Sequence, residues 1–203
     1  MIGIINYGLG NLGSIKNMFR YLDIDTKIIN EPSELNDTDK LVLPGVGSFD
    51  AGMKQLKSLG WIEPLSEAVL QNGVPILGIC LGMQLMTDGS EEGNLQGLGW
   101  IKGVCKKFEF EEQSNIKIPH MGWTEALSTK DSKLIMNDED IRRFYFVHSY
   151  YVELENRNDE LFKSNYGFDF TSGFENKNIV GVQFHPEKSH RYGKTFLENF
   201  NKF

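Results

Sequence analysis

Residues 74–84 read VPILGICLGMQ, and this stretch decides the class of fold that the sequence predicts. It begins with an apolar run typical of a buried strand, Val74–Ile79, and continues directly into a helix from Leu81. The same kind of apolar run predicts further strands at Met1–Tyr7, Thr26–Ile29, Lys40–Leu43 and Ile179–Phe184. Because amphipathic stretches separate most of these runs, we expect an α/β fold in which helices cover both faces of a parallel-centred mixed sheet.

Three longer helices are predicted around this sheet. The first runs from an N-cap at Ser14 to Leu22, because apolar residues recur there at spacings of three and four. The second covers residues 49–72 with a kink at Pro64, and the third covers Ser189–Phe203.

The second half of the sequence has a different pattern. Stretches rich in β-branched and aromatic residues lie at Trp100–Phe110, Ile116–Leu127, Phe144–Leu154 and Tyr166–Glu175. They predict antiparallel strands appended to the parallel core. Since neither an internal repeat nor a linker interrupts the chain, we expect a single domain over residues 1–203.

Composition excludes several classes of protein. The 203 residues carry 21 basic and 28 acidic side chains, a net charge of −7, so no surface for nucleic acid or an anionic membrane is expected. Two cysteines, Cys80 and Cys105, are too few for a disulfide scaffold or a four-cysteine zinc site. No residues have metal-binding spacing, and no apolar run approaches the ~20 residues that span a bilayer. We therefore expect a cytoplasmic protein without metal or cofactor, in which one cysteine is free to be a nucleophile.

The segment Gly8–Gly13 satisfies the pattern G-x-G-x-x-G between the first strand and the first helix. With Glu31 near the end of the second strand, it favours a dinucleotide-binding site in which the acid holds a ribose hydroxyl. The alternative is that the glycines serve only a tight turn, which needs positive φ angles. Nothing else in the sequence indicates hydride chemistry, and both interpretations stay open.

Cys80 carries the stronger functional signal. It stands between Gly78 and Gly82 where a strand turns directly into a helix, a pattern typical of a nucleophile elbow. The position at a helix N-terminus favours the thiolate, and the amide of Leu81 is placed to meet an oxyanion. The competing interpretation is a buried core cysteine, which is what we expect of Cys105.

A cysteine nucleophile needs a base and a group that orients the base. His185 follows the last predicted strand, at the edge of the sheet where Cys80 is also expected. Glu187 lies two residues on, so its side chain would project to the same side and hold the far nitrogen of the imidazole. Of the other histidines, His120 and His148 are expected to be structural or binding groups, and His190 to be the exposed start of a helix.

These segments resemble the class I (triad) glutamine amidotransferases, and within that class the glutaminase subunits of imidazole glycerol-phosphate synthase. The class resemblance rests on residues 78–84 and 185–187. The narrower resemblance rests on residues 6–12, 43–49, 119–123 and 145–151, and on the stretch 183–189. Thr124 departs from the pattern, because relatives often carry asparagine there.

The resemblance implies a flavodoxin-like fold and a role for each matched residue. A triad of Cys80, His185 and Glu187 would hydrolyse L-glutamine through a glutamyl thioester, with backbone groups of Gly47 and Leu81 meeting the oxyanion. The residues implied to bind glutamine are Gln84, His148, Ser149 and Tyr150. Those implied to contact a partner subunit are Asn11, Met121, Trp123, Tyr145 and Lys188.

The implied partner is a (β/α)8-barrel cyclase that forms a heterodimer with this chain. It would use the released ammonia to make imidazole glycerol phosphate and an aminoimidazole carboxamide ribotide in histidine biosynthesis. Three alternatives remain: the same glutaminase chemistry feeding a surface-sugar amidination pathway, a cysteine peptidase with the same elbow, and a dinucleotide-binding protein that uses Gly8–Gly13.

Overall fold

The computed structural model describes residues 1–111, 113, 115–135 and 142–203. The strands among them are β1 (Ile2–Ile5), β2 (Thr26–Ile29), β3 (Lys40–Leu43), β4 (Ile76–Ile79), β5 (Gly89–Ser90), β6 (Gly103–Lys107), β7 (His120–Glu125), β8 (Leu127–Ser128), β9 (Arg143–His148), β10 (Tyr150–Leu154), β11 (Glu160–Tyr166), β12 (Phe168–Asn176) and β13 (Ile179–Val182). The helices are α1 (Leu12–Tyr21), α2 (Phe49–Ser58), α3 (Ile62–Ser66), α4 (Leu81–Leu85) and α5 (His190–Lys202), and a π-helical segment, Glu67–Gln71, follows α3.

A parallel sheet in the order β2-β1-β3-β4-β13 forms the centre of the fold. Successive residues of its strands point to opposite faces. On one face Ile4 packs in a cluster with Phe19 of α1 and Phe196 of α5. On the other face Ile5 packs in a cluster with Phe49 of α2. The predicted α/β fold with helices on both faces is confirmed.

The second half extends this sheet with antiparallel strands, as predicted. Strand β12 pairs antiparallel with β13, β11 and β10, and β10 pairs antiparallel with β6. A separate two-stranded sheet joins β7 to β9, with His120 opposite His148 and Trp123 opposite Tyr145. Strand β11 was not among the predicted stretches.

Two helix boundaries differ from the sequence prediction. Asn11 rather than Ser14 is the N-cap of α1, because its side-chain oxygen accepts a hydrogen bond of 3.2 Å from the Ser14 amide. The predicted helix over 49–72 is divided at Gly60, whose φ of 70° belongs to the left-handed region, and not at Pro64. Pro64 lies in the first turn of α3, where its missing N–H costs no helical hydrogen bond. Within the described ranges, no helix is both long and apolar enough to cross a membrane.

Candidate active site

Cys80 lies at the turn between β4 and α4, with φ 55° and ψ −111°. Glycines make this turn possible: a Cβ atom on Gly82 would lie 1.9 Å from the Leu43 carbonyl oxygen, and one on Gly78 would lie 2.8 Å from the Gly82 backbone. The turn has the strained geometry of a nucleophile elbow. It places Cys80 beyond the carboxyl end of a central parallel strand, where the neighbouring strands also end.

His185 and Glu187 follow β13, the neighbour of β4. The Nδ1 atom of His185 lies 2.8 Å from the Glu187 carboxylate, and both side chains are buried. The other ring nitrogen, Nε2, has no hydrogen-bond partner of normal geometry among the described residues, so it is available to Cys80. Burial lowers the pKa of His185, but Cys80 and Glu187 favour the protonated ring and together raise that pKa from 6.5 to about 9.

The backbone around His185 is held by hydrogen bonds that link it to β9. The His185 amide donates to the Tyr145 carbonyl at 2.9 Å. Ser189 donates its hydroxyl to the His185 carbonyl at 2.6 Å and accepts from the Tyr145 amide at 2.9 Å. These contacts fix the position of the imidazole before any substrate is bound.

A cleft of about 330 Å³ opens beside Cys80 and His185. It brings together the sequence-predicted residues Gly47, Leu81, Gln84, His148, Ser149 and Tyr150. Its volume is in the range of small-molecule sites. Cys80 and His185 both line this cleft, and each is otherwise almost fully buried.

Backbone amides border the cleft on two sides. The Leu81 amide is at the first position of α4, where no carbonyl within the helix can accept from it. Gly47 has a φ of 107°, and a Cβ atom there would meet no atom within 4 Å. By contrast, a Cβ atom on Gly45 would lie 2.6 Å from the Tyr7 hydroxyl. The loop before α2 is thus tightly packed at Gly45 and open at Gly47.

Two residues of the site were not singled out from the sequence. Gln183 is fully buried, and its side-chain amide donates toward the Cys80 sulfur at 3.6 Å. It lies two residues before His185, so strand alternation would have placed it on the same side. Glu92 also lines the cleft, and its carboxylate accepts from the Phe49 amide at 2.7 Å. No sequence signal separates Glu92 from its neighbours in a polar loop.

The residues expected at a partner surface fall mainly into one group. Met121 and Trp123 lie on the same side of β7 and are exposed. The Trp123 and Tyr145 rings are 6.2 Å apart, and the Lys188 ammonium lies 5.7 Å from the Tyr145 ring. Asn11 is exposed at the start of α1. His190, also exposed as predicted, starts α5 and stacks on Trp123 at 5.4 Å.

The remaining predicted features have structural explanations. Cys105 is fully buried beside Thr87, and burial raises the pKa of its thiol to about 12, so it is a core residue as predicted. A Cβ atom on Gly10 would lie 3.0 Å from Pro44, so packing against that loop accounts for this glycine of the G-x-G-x-x-G segment. The described part of the chain contains no group of histidine, cysteine and acidic residues that could hold a metal ion.

Comparison with known proteins defines the class. The family model described as "Glutamine amidotransferase class-I" matches residues 3–202, and the chain belongs to this family. The predicted glutamine amidotransferase and its fold are thereby confirmed.

Individual relatives narrow the resemblance. The chain is 50% identical to "Imidazole glycerol phosphate synthase subunit HisH 2" of Methanococcus maripaludis over 202 residues, covering 100% of this chain and 99% of the relative. It is 45% identical to "Imidazole glycerol phosphate synthase subunit HisH" of Leptospira borgpetersenii, covering 98% of each. The structure titled "Structure of PurLQS from Thermotoga maritima" is similar in fold, with a TM-score of 0.75 at 16% identity, covering 99% of this chain and 97% of the other. The resemblance drawn from the sequence motifs agrees with the names of these relatives.

Proposed function

We propose that this chain is the glutaminase subunit of an imidazole glycerol-phosphate synthase. It hydrolyses L-glutamine to glutamate and ammonia, and it passes the ammonia to a cyclase subunit in histidine biosynthesis. The observation that carries this proposal is the hydrogen bond between His185 and Glu187 next to a cleft that Cys80 also lines. Cys80 itself lies at a strained turn between strand and helix. The names of full-length relatives at 45–50% identity support the choice of pathway.

Before the attack, the proton of the Cys80 thiol is transferred to Nε2 of His185, whose raised pKa favours the imidazolium. The Cys80 sulfur then attacks the side-chain carboxamide carbon of glutamine. The tetrahedral intermediate collapses when His185 returns this proton to the departing nitrogen, which leaves as ammonia. A glutamyl thioester remains on Cys80. His185 then takes a proton from water, and the resulting hydroxide releases glutamate and restores the thiol.

Glu187 orients the imidazole and stabilises its protonated form. Its hydrogen bond to Nδ1 fixes the tautomer whose Nε2 is the base. This assignment agrees with the raised pKa of His185: burial lowers that pKa, but Cys80 and then Glu187, whose carboxylate is 2.8 Å from Nδ1, favour the imidazolium. Glu187 is therefore a positioning residue within the triad.

Backbone amides of Leu81 and Gly47 stabilise the oxyanion. Leu81 directly follows the nucleophile, so its free amide lies close to the carbon under attack. Gly47 supplies the second amide from the loop before α2, and its unobstructed surroundings allow that peptide to reorient.

The cleft offers complementary groups for the rest of glutamine. Glu92 is a carboxylate at the cleft wall and suits the α-ammonium group of the substrate. Gln84 and the segment 148–150 supply amide, hydroxyl and carbonyl groups for the polar ends. A peptidase would not need a site that recognises both ends of one amino acid, so these groups favour glutamine over a peptide.

The partner surface is formed by Met121, Trp123, Tyr145, Lys188 and Asn11. The two exposed apolar side chains on β7 are suited to the core of an interface, and Lys188 to its polar rim. The partner is a (β/α)8-barrel cyclase, and the two subunits form a heterodimer. Direct transfer matters because ammonia released into water at pH 7 is mostly protonated and no longer nucleophilic. The predicted cytoplasmic location stays a prediction.

The test is release of glutamate from glutamine by the purified chain, alone and with a barrel cyclase and its acceptor substrate. We expect weak release alone, strong stimulation by the complex, and none from Cys80→Ala. Cys105→Ala is the matched control, because it removes a thiol outside the cleft. Retained turnover in Cys80→Ala would overturn the mechanism, and stimulation by a sugar-pathway acceptor instead of the cyclase would overturn the choice of pathway.

A further inference from the structure

A continuous series of hydrogen bonds leads from β7 to the wall of the cleft. It begins at Thr124 on β7, whose hydroxyl is 2.8 Å from Nε2 of His120. The Nδ1 atom of His120 is 2.9 Å from Nε2 of His148, and Nδ1 of His148 is 2.8 Å from the Tyr150 carbonyl oxygen. Two buried histidines therefore connect a strand of the small sheet to the backbone of the cleft.

The Tyr150 carbonyl, at the end of this series of hydrogen bonds, determines which atom is the donor in each of them. The Tyr150 carbonyl only accepts, so Nδ1 of His148 must carry a proton. Burial lowers the pKa of His148 to about 3 and that of His120 to about 4, so both rings are neutral near pH 7. Nε2 of His148 is then an acceptor, which requires a proton on Nδ1 of His120. Nε2 of His120 must in turn accept from the Thr124 hydroxyl.

The same carbonyl joins this chain to the nucleophile. The Gln84 side-chain nitrogen donates to the Tyr150 carbonyl at 3.2 Å and to the Gln183 side-chain oxygen at 2.9 Å. Gln183 then directs its own nitrogen toward the Cys80 sulfur at 3.6 Å. The orientation of each amide thus follows from the carbonyl that accepts from both His148 and Gln84.

Aromatic rings surround the two histidines in the middle of this network. His120 stacks on Tyr166 at 4.0 Å and on Phe146 at 4.9 Å, and Phe108 packs beside His148 at 5.2 Å. In such an apolar setting, a ring nitrogen that loses its partner stays unsatisfied. Thr124 itself is half-buried, but the hydrogen bond between His120 and His148 is enclosed, so a rotation of His120 after loss of the Thr124 hydroxyl leaves that inner hydrogen bond unmade.

We infer that Thr124 and His120 are positioning residues that hold His148, the Tyr150 carbonyl and Gln84 in the arrangement that glutamine requires. Neither residue has to touch the substrate. This inference rests on the proposed function, because it assigns the Gln84 side of the cleft to glutamine binding.

The test compares Thr124→Val, which keeps the shape and removes the donor, with Thr124→Ser and Thr124→Asn, which keep a donor. We expect Thr124→Val to raise the KM for glutamine about 3- to 10-fold with little change in kcat, since binding geometry and not the triad is disturbed. The serine and asparagine variants should stay within about twofold of the wild type. Thr129→Val is the matched control, because it removes an exposed hydroxyl that donates to the Glu160 carbonyl at 2.7 Å. Equal KM values for Thr124→Val and Thr124→Ser would overturn the inference.

A second readout does not depend on glutaminase activity. Nitrogen-15 NMR of the histidine rings at pH 7 should show His120 and His148 neutral and protonated on Nδ1. A neutral ring protonated on Nε2, in either histidine, would overturn the proposed series of hydrogen bonds even if the enzyme is active. Absence of glutamate release from the wild type would instead overturn the proposed function. The ring signals would still test the proposed hydrogen bonds of His120 and His148.

Discussion

Two histidine environments border the same cleft, and they shift the imidazole pKa in opposite directions. His185 and His148 are similarly buried, at 2% and 6% exposed. His185 lies beside Cys80 and a carboxylate, which raise its pKa to about 9 against the effect of burial. Burial among aromatic rings and uncharged hydrogen-bond partners instead lowers the pKa of His148 to about 3. Burial alone therefore does not determine the role of a histidine here. This difference in partners is why we propose His185 as the proton carrier and His148 as a neutral hydrogen-bond donor.

The largest expected effect separates these two roles. His185→Asn removes the base, so we expect kcat for glutamate release to fall by about 10²- to 10⁴-fold. His148→Asn keeps a donor that can reach the Tyr150 carbonyl, and it should lower kcat/KM by no more than about 10-fold. Steady-state assays of both variants check this difference. Equal losses in kcat would contradict the division of roles.

The next effect concerns Glu187, which raises the His185 pKa. The imidazolium must be present to protonate the leaving ammonia, so wild-type activity should fall as pH rises past about 9. In Glu187→Gln we expect kcat to fall by about 10- to 100-fold and this basic limb to move to lower pH. The measurement is the pH profile of kcat/KM, which reports the pKa of His185 in the free enzyme. The control is Glu34→Gln, a substitution outside the residues that line the cleft, which removes the surface ion pair with Lys27 and weakens the hydrogen bonds that the carboxylate accepts from the Asn30 and Glu31 amides.

Unchanged basic limbs in Glu187→Gln and in the wild type would show that the carboxylate does not set the His185 pKa. A loss of activity in Glu34→Gln would point to a general effect of removing acidic side chains. Either result would contradict the claim that the charge of Glu187 distinguishes the pKa of His185 from that of His148.

A smaller effect is expected in the pH dependence of the free energy of unfolding. A histidine whose folded pKa lies below its unfolded value of 6.5 binds a proton more readily when unfolded, so its contribution to stability is lost as pH falls below 6.5. For His148 this loss is on the order of 2 kcal/mol between pH 7 and pH 5. His185 has the opposite sign, and its contribution is lost as pH rises from 6.5 toward 9.

Urea unfolding at pH 7 and pH 5 checks this expectation. His148→Asn cannot titrate at that position, so the drop in its free energy of unfolding over this interval should be smaller than that of the wild type. A variant with the same drop as the wild type would indicate that His148 titrates normally in the folded protein.

Most of the parallel core, and the placement of Cys80, His185 and Glu187 at one edge of the sheet, could be predicted from the sequence because their signals are local. Cys80 sits between its own glycines, and His185 and Glu187 are two residues apart. The other contacts could not be predicted, because their partners are distant in the chain: Gln183 reaches Cys80 across 103 residues, and Phe49 reaches Glu92 across 43. No local pattern specifies such pairs, which form only when the strands are ordered in the sheet.

Local alternatives explain the errors at element boundaries. Ser14 and Asn11 are both good N-cap residues, and the hydrogen bond from the Ser14 amide to Asn11 decides between them. Strand β11 was missed because residues 160–166 mix charged and apolar side chains, and it is specified by pairing with β12 and β8.

The central claim is that Cys80 attacks glutamine with the help of His185, and one measurement tests it most directly. The protein is mixed with glutamine, quenched in acid within one turnover, and analysed by peptide mass spectrometry. We predict a glutamyl adduct on the peptide that contains Cys80, present also in Cys105→Ala and absent from Cys80→Ala. Glutamate release without any adduct on Cys80, or an adduct on Cys105, would contradict the account.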